Sequence, residues 1–170
     1  MFTSRLPYVS FNNLFVLPTY HMLLYGVLKK FWETACKGTR IMSTRSKALI
    51  RDRAGGMVST NDFNSRYSCI IENHKNWKIS EWLAWADVWS TFVLMDIPLD
   101  AVMPDAQDLP PTPRTYKAPS SFTEVVHRLH QSIVFFIRPQ EDWSEELMMK
   151  HHADLYVYAQ CMELTFGVGS

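Results

Sequence analysis

From Tyr20 onward the apolar residues Met22, Leu23, Tyr25, Val27, Leu28, Phe31 and Trp32 recur at helical spacing, and Lys37-Gly38 offers a stop. Lys29 and Lys30 fall in the later part of that run, where cations suit the helix dipole. Residues 40–53 predict a second, basic helix ended by Gly55-Gly56, and residues 57–76 read as loop, with Ser59-Thr60-Asn61-Asp62 as turn chemistry. The clearest helix covers 80–96. Ser80 is its expected N-cap, Glu81 sits in its first turn, and Trp82, Trp85, Ala86, Trp89, Phe92, Val93 and Leu94 make its apolar stripe up to Pro98. Two more helices are predicted, 121–137 after Ser120 or Ser121 and 144–165 after Ser144, with Gly167 as the final stop. Ahead of them all, residues 6–17 suit a short extended segment. The pattern is mainly α, with four to five helices.

Between the third and fourth of these helices, residues 98–119 hold six of the nine prolines, which predicts a linker or exposed loop separating 1–97 from 120–170 within one helical domain. With 170 residues and 47% apolar side chains the chain can bury a real core. Six glycines are too few for a Gly-looped nucleotide fold, and three scattered cysteines (Cys36, Cys69, Cys161) suit a reducing, intracellular compartment. Leu6 to Leu28 lacks any charged residue, but Pro7, Asn12, Asn13, Pro18 and His21 argue against a membrane span and for a buried segment.

The net charge of zero conceals a split. Residues 1–80 carry twelve Lys/Arg against four acids, and residues 81–170 carry five against thirteen. Either the halves neutralise each other within one fold, or the first presents a basic face to nucleic acid. The best nucleic-acid candidates are Lys29, Lys30, Lys37, Arg40, Arg45, Lys47, Arg51 and Arg53, which would touch phosphates weakly and with little sequence preference; the alternative is a solvated helix face. The tryptophans Trp77, Trp82, Trp85 and Trp89 could stack on bases, but their spacing of three and four after Trp82 fits a core stripe better. His127-x-x-His130 with His151-His152 could supply zinc ligands, yet no cysteine pairing accompanies them, and solvated helix histidines are the plainer reading. The acid pairs Glu141-Asp142 and Glu145-Glu146 belong to a helix start. No nucleophile elbow, HExxH motif or phosphate loop occurs, so no cofactor is expected.

Three segments, in order, resemble eukaryotic CACTA-type (En/Spm-like) transposases. LPTYHMLLYGVLKKFWETA (17–35) is similar to that family's acid-x-x-His segment and the Gly-Val helix after it. NWKISEWLAWADVWSTFVL (76–94) resembles its Trp-rich WKASEWRxW helix. SSFTEVVHRLHQSIVFFI (120–137) and ADLYVYAQCMELTFG (153–167) look like the last two helices of the same region. The resemblance implies the helical insert of an RNase H-like nuclease, in which three acidic side chains hold two divalent metals for strand transfer. The insert lies between the second and third acids. Here the second acid position is Pro18, and of its motif His21 alone remains; the other two acids would lie outside residues 1–170. The expectation is a non-catalytic, transposase-derived remnant, nuclear if expressed, with residual DNA or partner binding and a tendency to self-associate. The alternative is an unrelated helical protein–protein interaction module.

Overall fold

The computed structural model describes residues 21–57, 68–105, 116–137 and 144–167. The extended segment expected at 6–17, Pro18, and the turn at 59–62 lie outside those residues. Six helices and no strand form among the described residues. Helix α1 (21–37) opens with wide π-type turns over His21–Leu28 and continues as regular helix over Lys29–Lys37. Helix α2 is Thr44–Gly56, and α3 is Ile70–Asn73, extended by a tight turn at His74–Asn76. Helix α4 (79–94) joins Ile79–Ala84, a wide-turn stretch Trp85–Trp89, and Ser90–Leu94. Helix α5 is Phe122–Ile137 and α6 is Glu145–Phe166. The mainly α architecture follows the apolar period, and α3 raises the helix number by one. It falls where loop was expected because four residues are too few to show a period.

Side-chain caps set most of the helix starts. The Ser43, Ser121 and Ser144 hydroxyls accept the backbone N–H of Ser46, Glu124 and Leu147, three residues on. Ser80 does not cap α4. The helix begins one residue earlier, and Glu81 instead reaches back to accept the Lys78 backbone N–H at 2.7 Å. Nor does Pro98 end α4. The helix stops at Leu94 in a type II turn, with Met95 at φ −51°, ψ 124° and Asp96 at φ 58°, closed by Ile97 N–H donating to Leu94 C=O at 3.0 Å.

Of the stretch expected as linker or exposed loop, residues 98–105 are described, and there Leu99 is buried while Pro98, Asp100, Val102 and Asp105 are exposed. Ile97 is buried as well, and the run is laid against the helices through Asp100 N–H to Ile41 C=O (2.8 Å) and Val102 N–H to the Thr165 hydroxyl (3.0 Å). Both sides of the Pro-rich stretch therefore share one core, from Leu24 to Cys161.

Its centre is aromatic. Trp32 of α1 meets Trp85 of α4 edge-to-face, with ring centroids 5.1 Å apart and planes at 87°, and Trp85 in turn lies 5.8 Å from Trp77, which packs on Trp82 at 5.0 Å. Trp32, Trp82 and Trp85 are fully buried and Trp89 nearly so, as the stripe predicted. The wide turns of α4 help: the Ser90 N–H reaches back five residues to Trp85 C=O, so Trp85 and Trp89 stay on one side. Burying one such ring contributes up to about 4–6 kcal/mol.

Trp85→Ala should destabilise the protein by about 3–5 kcal/mol in urea denaturation, enough to unfold much of it. Asp96→Val should cost about 1–2 kcal/mol, whereas Asp96→Gly, which accepts the left-handed backbone freely, should leave stability unchanged or raise it.

Candidate functional site

The eight basic residues singled out in the sequence cluster on α1, α2 and the corner between them, but most are engaged in holding that corner together. Lys47 Nζ donates to Cys36 C=O (2.8 Å) and Gly38 C=O (2.6 Å), so it caps the C-terminal end of α1. Arg53 does the same for α4, donating to Val93 C=O at 3.1 Å and to Met95 C=O. Arg40 donates to Thr165 C=O (3.4 Å), and its guanidinium lies over the Phe166 ring at 5.6 Å, tying the corner to the end of α6. Arg51 pairs with Glu72 at 3.1 Å, Lys30 with Glu33 at 3.5 Å, and Lys29 sits over the Tyr25 ring at 5.0 Å. Lys37 and Arg45 are exposed and make no such contact among the described residues. His21, singled out in the sequence by the resemblance alone, is exposed at the start of α1, 5.8 Å from the Tyr25 ring.

The histidines are not the solvated set expected. His130 is buried, its Nε2 accepting the indole N–H of Trp32 at 3.4 Å, with its ring stacked on Trp32 and edge-on to Trp85. Because an indole N–H can only donate, Nε2 is unprotonated and the neutral ring carries its hydrogen on Nδ1, which has no partner among the described residues. Burial, with a smaller effect from His127, pushes its pKa down to about 3. His151 is also buried, its Nδ1 2.9 Å from the Ser132 hydroxyl and its ring stacked on Phe135 at 4.2 Å. A third buried histidine, His74, bonds Ile70 C=O at 2.8 Å, a contact within one short helix that no period announced.

His127, His130 and His151 line a cavity of about 410 Å³ between α4, α5 and α6, with Asp87, Thr91 and Gln131. No group of three or more His, Cys, Asp or Glu among the described residues is placed to hold a metal ion. A second cavity of about 420 Å³ lies beside α5 and α6, lined by Tyr116, Lys117, Arg128, Ser144, Glu146 and Lys150 among others. Arg128 organises it, donating to Glu124 (2.6 Å), Asp154 (3.3 Å) and Lys117 C=O (2.7 Å). Glu124 is held down at about pKa 2, first by the Ser120 backbone N–H and then by Arg128. The Glu124–Arg128 pair at i, i+4 was legible on the predicted helix; Asp154, from another helix, was not.

Compared with protein-family models, with curated proteins and with solved structures, the chain has no significant match. No helix among the described residues is long and apolar enough to cross a membrane.

The two kinds of cation separate by stability. Lys47→Met and Arg53→Met should each cost about 1–2 kcal/mol, because each leaves helix-end carbonyls without a charged donor. Lys37→Glu and Arg45→Glu should stay within about 0.5 kcal/mol of the parent in the same urea titration.

Proposed function

We propose that the chain is a non-catalytic helical module of transposase origin, the insert of an RNase H-like DNA transposase, acting in the nucleus and making weak contact with DNA. The observation that carries this reading is which segments pack together. The three resembling stretches supply Trp32, Trp85 and His130, which meet at one point of the core, so the resemblance follows a physical unit rather than scattered helices. Pro18, standing where the family has a carboxylate, offers no ligand for a cation. DNA contact falls to the exposed cations of the α1–α2 corner, Lys37, Arg40 and Arg45, and is sequence-independent phosphate binding.

An interaction module built on the Trp-rich face loses its surface, since those rings are interior. A protein partner would instead meet the exposed Phe92 and Met95 near the end of α4.

The test is fluorescence anisotropy with a labelled duplex. Three neutralised phosphates give a salt slope near −2.7, so affinity should fall roughly 40-fold between about 50 and 200 mM salt. Combining Lys37→Glu, Arg40→Glu and Arg45→Glu should abolish binding, and the parent should not nick supercoiled plasmid with Mg²⁺ or Mn²⁺. Salt-insensitive binding, or nicking that persists through purification, contradicts the proposal.

A further inference from the structure

We infer that the Trp32–His130 contact is a proton-operated latch: one proton taken up by His130 releases α1 from α5 locally, before the rest of the core unfolds. The polarity of the bond makes it so. Trp32 Nε1 can only donate, and it donates to His130 Nε2 across 3.4 Å between helices 98 residues apart in sequence. A proton on Nε2 sets one N–H against another and turns the tie into a repulsion. The imidazolium would also lie among the rings of Trp32 and Trp85, without a carboxylate bonded to it among the described residues. The cavity beside it supplies the route out, because His130 lines it together with the exposed Thr91 and Gln131.

The surrounding charges favour release over charging in place. On α5 itself, His127 disfavours a charge on His130, and Arg128 is already held by Glu124 and Asp154. From α4, Asp87 lines the cavity and would meet an imidazolium that swings toward it. From α1, Lys29 and Glu33 flank Trp32 in sequence, with Lys29 over the Tyr25 ring and Glu33 paired with Lys30. From α6, Lys150 and Asp154 act on His151 with opposite sign. His151 does not share the switch, because the Ser132 hydroxyl can accept from its Nδ1–H whether or not Nε2 is protonated. The latch is full above the unfolded histidine value near pH 6.5 and is lost progressively as pH falls toward 3, the value that burial imposes on the closed form.

The experiment is hydrogen exchange on the full chain from pH 7.5 to 4.5, corrected for the intrinsic pH dependence of exchange. Amides of 29–37 and 122–137 should lose protection up to tenfold per pH unit below about 6. His130→Gln, whose amide oxygen can take the same indole proton without titrating, should flatten that slope, while His151→Gln should keep it. A His130→Gln protein with the parent slope overturns the latch. If that variant does not fold, the unmodified protein decides: the Trp32 indole N–H and the His130 ring nitrogens must shift together in an NMR titration, and a Trp32 signal that stays in place while α1 opens overturns it.

Discussion

The junction of Trp32, Trp85 and His130 is the constraint that brings the separate parts of this chain into one core. It joins α1, α4 and α5, three helices from widely separated parts of the chain, through two edge-to-face ring pairs and one indole-to-imidazole hydrogen bond. Large rings bury much apolar area each, and Phe31 extends the same cluster to Phe122 and Tyr158. A polar group at such a place is costly unless bonded. His130 meets that demand at Nε2, while its ring also lines a cavity, so the core's centre holds a titratable group.

The charge split along the sequence resolves into architecture more than into a surface. Arg40 reaches the end of α6, Arg53 the end of α4 and Lys47 the end of α1, each placing a cation against carbonyls that a helix end leaves unbonded. In the acidic half, Glu124 and Asp154 hold Arg128, so the second cavity carries a compensated network rather than a field of one sign. Of the eight cations on α1, α2 and the corner between them, Lys37 and Arg45 stay exposed without such a contact among the described residues, and Arg40 stays exposed beside its carbonyl.

Much of the fold was legible, and the reasons for the gaps are physical. The stripe Trp82, Trp85, Trp89 announced both a helix and a buried face, because the spacing survives the wide turn between Trp85 and Trp89. Ser121 and Ser144 announced their helices through cap chemistry. The burial of Ile97 and Leu99 was hidden by their proline-rich neighbourhood, since composition reports turn content and not what the turn lies on. Of the candidate sites, the basic cluster was visible as a sequence run, but the carbonyl partners of Lys47 and Arg53 come from segments 9–11 and 40–42 residues away. His130 and His151 read as helix-surface residues because a single polar position inside an apolar stripe does not reveal its partner on another helix.

The central claim is that the two halves of the chain form one body around that aromatic junction. Urea unfolding of the whole protein, followed at once by tryptophan fluorescence and by far-UV circular dichroism, tests it most directly. Tryptophan reports the junction, while the dichroism is weighted toward the long helices α5 and α6. The account predicts a single transition with the same midpoint by both probes. Two transitions, with helix signal persisting after the tryptophans are exposed, would show that α5 and α6 stand apart from the junction and would contradict it.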